Sequence, residues 1–229
     1  INEVRRLIEK YEMPVLGYTP EHNAYPYNYM IGSEAQRRDA VDYLKLSLEM
    51  AKEMGAEFVL TSPANGGYLA TYDQLWSRLE KNIQELGDYA AKLEIKLVVE
   101  ALTPYESNFF TRANDLVELF RRVDNPYVVG MCDIVPPFVQ HESIMAYFDK
   151  LGNKMDHMHI IDGENGSDTH MIPGEGNIPI KEMLYEMKRI GYDKTATLEL
   201  VTNYINEPRF YAKRAIDNMR ELMAEAGIV

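Results

Sequence analysis

Lys96-Leu97-Val98-Val99-Glu100 is an apolar run of strand length that ends on a carboxylate. The arrangement returns in Val128-Val129-Gly130-Met131-Cys132-Asp133, in Asp156-His157-Met158-His159 and in Ala196-Thr197-Leu198-Glu199-Leu200. In those three runs the group at or near the end is Asp133, His159 or Glu199. A carboxylate stays at the end of an apolar strand only if something compensates its charge, because a buried, unpaired ion is strongly unfavourable. With four such strands in succession, a divalent cation is an economical partner for them all.

Outward from these runs, short β-rich stretches alternate with longer helical ones. The strand candidates are Val15 to Thr19, Phe58 to Thr61, Leu97 to Glu100, Val128 to Asp133, His157 to Ile161 and Thr197 to Val201. Helical spacing of apolar residues predicts helices at Ile1 to Lys10, Glu34 to Met54, Tyr72 to Leu93, Arg112 to Val123, Glu142 to Leu151, Pro179 to Ile190 and Glu207 to Ala226. Strict alternation predicts an α/β fold of parallel strands with right-handed crossovers, either an open doubly wound sheet or a closed TIM (β/α)8 barrel. No glycine-rich phosphate-binding fingerprint follows any strand, which weakens the open sheet. Acidic and histidine residues gather at the carboxyl ends of successive strands, where a barrel collects its catalytic groups. Six strands are two short of eight, and about fifty residues ahead of Ile1 would supply the remainder at the usual size of a barrel unit. The expectation is therefore one TIM-barrel domain over residues 1–229, its first strands lying before Ile1.

Composition bounds the partners. Of 229 residues, 36 are acidic and 24 basic, a formal charge of -12 that repels phosphodiester backbones. Nucleic acid is an unfavourable partner, and no apolar run long enough for a membrane span occurs. The single cysteine, Cys132, cannot form an internal disulfide, so a cytoplasmic location is expected. The loops Ser62 to Gly67 and Gly163 to Gly176 follow strands and read as active-site loops.

Glu100, Asp133, His159 and Glu199 form a mixed oxygen and nitrogen ligand set, with two octahedral positions left for substrate oxygens. Such a set suits Mn²⁺ foremost, with Mg²⁺, Co²⁺ or Zn²⁺ as other candidates. In a closed barrel Glu100 and Glu199 would face each other across the mouth. A ketose held through adjacent oxygens would then lose its C–H proton to one glutamate and regain it from the other, on the opposite face. His157 shares the inward side of its strand with His159 and reads as a packed, hydrogen-bonded histidine. Tyr18, Tyr25, Tyr27, Tyr68 and Tyr105 follow strands and could wall the sugar. Trp76 reads as a packed helix residue, with self-association into a homo-oligomer as the other reading.

Longer motifs carry a resemblance. They are Gly17-Tyr18-Thr19-Pro20-Glu21, Tyr25-Pro26-Tyr27-Asn28, Leu102-Thr103-Pro104-Tyr105-Glu106-Ser107-Asn108, Ser167-Asp168-Thr169-His170, Pro173-Gly174-Glu175-Gly176 and Glu199-Leu200-Val201-Thr202. Together they resemble the xylose isomerase-like TIM barrel family, and within it the branch of fructoselysine 3-epimerases. The resemblance implies a small sugar substrate, Glu100, Asp133, His159 and Glu199 as metal ligands, and Glu100 and Glu199 as the catalytic pair. It also implies that Glu106 bonds a substrate hydroxyl. Two departures from the epimerases of free ketoses are Pro136, where a histidine is usual, and Asn165, where an arginine is usual. Both imply polar contacts to the sugar that differ from those of free-ketose epimerases, and a modified ketose such as fructoselysine is compatible with them. Aldose–ketose isomerases and inosose dehydratases would use nearly the same centre. Asp168-Thr169-His170 also resembles a second-metal loop of abasic-site endonucleases, although five histidines are too few for a trinuclear zinc site. Asp168 and His170 are read instead as loop residues near the substrate. A non-catalytic sugar-binding barrel would not need a complete metal set.

Overall fold

The computed structural model describes every residue except Tyr25, Asn165, Thr202, Asn203 and Val229. The chain forms two compact units, residues 1–130 and 131–229.

The first unit runs α1 (Asn2–Tyr11), β1 (Gly17–Tyr18), α2 (Glu34–Met54), β2 (Phe58–Thr61), α3 (Tyr72–Leu93), β3 (Lys96–Val99), α4 (Ala113–Arg122) and the start of β4 (Val128–Asp133). The strands pair in parallel, Tyr18 with Val59, Val59 with Leu97 and Leu97 with Val128. The boundaries of α2 and α3 follow from their caps. Ser33 and Thr71 each accept a hydrogen bond from the backbone N–H three residues on, while Gln36 and Gln74 return the bond to the capping residue. Both helices stop at a left-handed residue, Gly55 and Glu94. Between the caps, Ala40, Val41, Leu44, Leu48 and Ala51 of α2 and Leu75, Leu79, Ile83, Leu86 and Ala90 of α3 recur at three- and four-residue spacing and are buried. Full burial of such side chains stabilises by about 1.5–3 kcal/mol each for the larger ones. Helix α1 has the expected amphipathic pattern, but none of its residues is buried.

The second unit contains the end of β4, then α5 (Val135–Val139), α6 (Met145–Leu151), β5 (Met155–His159), α7 (Ile180–Ile190), β6 (Thr195–Thr197) and α8 (Pro208–Glu225). β5 and β6 are parallel, with His157 opposite Thr195 and His159 opposite Thr197. The Ile134 N–H donates to the His159 carbonyl at 3.4 Å. Helices α7 and α8 turn Met183, Leu184, Met187, Ala215 and Met219 inward.

Two differences from the sequence reading have local causes. β5 and β6 each begin two residues earlier than their apolar patterns suggest. The His157 ring bonds the Thr195 hydroxyl at 2.7 Å and the Thr197 hydroxyl at 3.1 Å, which links Thr195 into the pair. Helix α5 was not expected, because it contains Pro136-Pro137. Prolines are tolerated in a first turn, where the backbone N–H groups lack intrahelical partners anyway. Among the described residues no helix is long and apolar enough to cross a membrane.

Candidate metal centre

Three of the four expected ligands belong to the second unit, and each lies at the carboxyl end of a strand. Asp133 is the last residue of β4, His159 the last of β5, and Glu199 lies two residues beyond β6. The Val135 N–H donates to Asp133 Oδ1 at 2.7 Å, so Oδ2 is the oxygen turned toward the imidazoles. His159 Nδ1 lies 3.2 Å from Glu199 Oε2 and 3.9 Å from Asp133 Oδ2. A second imidazole reaches the same two oxygens: His170 Nε2 is 3.0 Å from Glu199 Oε2 and 3.6 Å from Asp133 Oδ2. Asp168 Oδ1 lies 3.7 Å from the other ring nitrogen, His170 Nδ1.

Two acids and two imidazoles in such proximity settle their charges jointly. Burial works against protonation of His170, but the carboxylates of Asp133 and Glu199 outweigh it and hold the imidazolium up to about 11. Burial also pushes Glu199 upward, yet the His159 and His170 rings prevail and keep its carboxyl well below the ordinary range. A divalent cation supplies the same positive charge as those protons and would displace them on binding. Ligand atoms of Asp133, His170 and Glu199 all lie within 4.8 Å of one another, a spacing that a metal ion can bridge.

The loop that carries Asp168 and His170 is built around a carboxylate that the sequence reading overlooked. Asp162 is buried and accepts hydrogen bonds from the backbone N–H groups of Gly163, Gly174 and Ile178, each at 2.9 Å. Its backbone makes a two-way bridge with Met171, the residue after His170, at 2.8 and 2.7 Å. A Cβ on Gly176 would fall 2.5 Å from both Asp162 Oδ1 and the Gly163 carbonyl, so only glycine fits there. Asn218 donates to the Pro173 carbonyl at 3.0 Å, and Arg214 pairs with Glu175, which fastens the loop to α8. The available signal was an aspartate directly after Ile160-Ile161, followed by glycines 163, 174 and 176.

His157 is buried and is the hydrogen-bonded histidine the sequence suggested. Desolvation first, and the neighbouring His159 second, bring it down to about 4.

In the first unit Glu100 directly follows β3 and is buried, its N–H donating to the Thr61 carbonyl at 2.9 Å. Glu106 Oε2 accepts from the N–H of Thr103 at 3.1 Å and from its hydroxyl at 2.8 Å, closing the turn that holds Tyr105, itself 64% exposed. Of the tyrosines expected to wall a sugar, Tyr68 is 92% exposed and Tyr27 stacks on Tyr43 at 4.1 Å. Tyr18 is half-buried, and Tyr25 lies outside the described residues, as do Asn165 and Thr202. Trp76 is buried against Phe109 and Phe110, with the Arg122 guanidinium 4.9 Å from its ring centre. His22 also escaped the sequence reading. Its Nδ1 lies 2.8 Å from the Pro20 carbonyl, and its Nε2 accepts from the Ser62 N–H at 2.9 Å, fixing the loop after β2.

Comparison with known proteins fits this layout. The chain is 47% identical to fructoselysine 3-epimerase of Shigella flexneri over 225 residues, 98% of this chain and 82% of the relative. Among solved structures, a D-tagatose 3-epimerase-like protein superposes with a TM-score of 0.82 at 21% identity, covering 99% of this chain and 83% of that one. The 3-keto-D-glucoside 4-epimerase of E. coli gives a TM-score of 0.80 at 15% identity, covering 97% and 84%. The family model described as "Xylose isomerase-like TIM barrel" matches residues 1–222. With strands in parallel succession and polar residues at their carboxyl ends, the chain belongs to the xylose isomerase-like TIM barrel family.

Proposed function

We propose that this sugar epimerase acts on a ketose or ketosamine of the fructoselysine kind, with a divalent cation as cofactor, and inverts C3. The observation that carries the reading is the 47% identity to fructoselysine 3-epimerase, which extends over 98% of the chain. The donor set supports a cation. Asp133, His159 and Glu199 offer two oxygens and a nitrogen at separations of 3.2 and 3.9 Å about the histidine. Glu100 is taken as the remaining ligand on residue type and on its place directly after β3, and Mn²⁺ as the ion. When bound, the cation would polarise neighbouring substrate oxygens and acidify the C–H beside the carbonyl.

The chain's own groups do the rest. One of the glutamates Glu100 and Glu199 takes the C3 proton, and the C–H electron pair moves into the carbonyl to give an enediolate. The other glutamate delivers a proton to the opposite face of C3, the electrons return, and the epimer leaves with no net oxidation. Glu106, Tyr105 and Asp168 are assigned to substrate contacts.

The test is to incubate the cation-loaded protein with fructoselysine and with free ketoses in deuterated water and follow the products by NMR. Appearance of the C3 epimer with deuterium at C3 supports the reading. Exchange at C1 would mean aldose–ketose isomerisation, and no exchange in any sugar would overturn catalysis on sugars.

A further inference from the structure

We propose that His170 is a ligand of the cation, giving the centre two imidazole nitrogens and raising its affinity for borderline ions such as Co²⁺ and Zn²⁺ more than its affinity for Mn²⁺. The inference rests on the cation reading above and deepens it. The sequence suggests only a loop residue near substrate, but the loop brings Nε2 to the carboxylate oxygens that face His159.

The distances carry the argument. Donor atoms about 2.1 Å from one ion are separated by roughly 3.0 Å at adjacent octahedral positions, roughly 3.4 Å in a tetrahedron and roughly 4.2 Å across an octahedron. His170 Nε2 stands 3.0 Å from Glu199 Oε2 and 3.6 Å from Asp133 Oδ2, and His159 Nδ1 stands 3.2 and 3.9 Å from the same pair. Each imidazole therefore stands at ligand spacing from the same two carboxylate oxygens, the geometry from which a shared ion is inferred.

Two further observations show a built position. Histidine ligands usually turn their second ring nitrogen toward a carboxylate that fixes ring orientation. Asp168 Oδ1 is the carboxylate on that side, at a charge-pair distance of 3.7 Å from His170 Nδ1 that is longer than a direct hydrogen bond. The backbone beside His170 is held by the Asp162–Met171 bridge, and Asp162 in turn binds three backbone N–H groups of the loop. Imidazole favours Co²⁺ and Zn²⁺, whereas an oxygen-rich set suits Mn²⁺ and Mg²⁺. A second nitrogen thus moves the preference in a stated direction.

The experiment strips the full chain with a chelator and titrates it with Co²⁺ and with Mn²⁺, reading affinity, stoichiometry and the visible Co²⁺ spectrum. Wild type should bind one ion. His170→Ala and His170→Gln should both weaken Co²⁺ about 10–100-fold, weaken Mn²⁺ less, and shift the Co²⁺ bands. Asp168→Asn, a change on a partly exposed loop side chain, should shift the bands with a smaller loss of affinity. Wild-type affinity and spectrum in both His170 variants would overturn the proposal and leave the cation reading intact. Two ions per chain would overturn it as well, since His170 would then serve a second ion. If wild type binds no divalent ion and Asp133→Asn changes nothing, the cation reading itself falls, and this inference with it.

Discussion

At the scale of the residue, Glu199 and His22 show how surroundings decide what a side chain can do. Glu199 is only partly buried, so Glu199→Gln should leave the fold intact while lowering epimerase turnover by about 10²–10⁴-fold, measured as kcat on the C3 epimer. His22 is buried in the first unit. Desolvation lowers its pKa from 6.5, against the opposing pull of the Pro20 and Ser62 backbone bonds. Between the lowered value and 6.5 the unfolded chain takes up a proton that the folded chain refuses. Stability from this residue is therefore full above pH 6.5 and declines as the pH falls below it. Thermal melts from about pH 7.5 to about pH 5 should fall more steeply for wild type than for His22→Gln, and equal slopes would contradict the assignment.

At the scale of the element, legibility in the sequence followed the strength of local signals. Helices α2 and α3 were readable at both ends, because Ser33 with Gln36 and Thr71 with Gln74 are capping pairs and the apolar stripes are long. β2 and β4 were equally plain, being buried throughout and free of charged or hydroxyl side chains up to their last residues, Thr61 and Asp133. β5 and β6 were displaced by two residues, because their register depends on His157 meeting Thr195 across the strands, and no periodicity within either strand encodes that. Asp133, His159 and Glu199 were legible as ionisable groups closing apolar runs. The place of His170 was not, since it depends on the loop after β5 being tied to Asp162 through Gly163, Gly174, Ile178 and Met171. That dependence can be tested at Gly176. A methyl group there would press on Asp162 Oδ1 and the Gly163 carbonyl at 2.5 Å. Gly176→Ala should cost about 1–3 kcal/mol in denaturant melts and lower kcat/KM through displacement of the loop.

At the scale of the whole molecule, the acidic surface and the carboxylate–imidazole cluster act in one direction. A chain of formal charge -12 attracts divalent cations and repels polyanions. An ion that binds only the folded state stabilises it by about 2.7 kcal/mol when its concentration is a hundred times Kd. Chelation should accordingly lower Tm by several degrees, and added Co²⁺ or Mn²⁺ should restore it, whereas an unchanged Tm would count against a resident cation. The most direct measurement is an anomalous-scattering map from crystals grown with Mn²⁺. The account predicts a single peak about 2.0–2.2 Å from Asp133 Oδ2, His159 Nδ1 and Glu199 Oε2. An absence of density at those atoms, with each side chain neutralised by a basic neighbour, would contradict it.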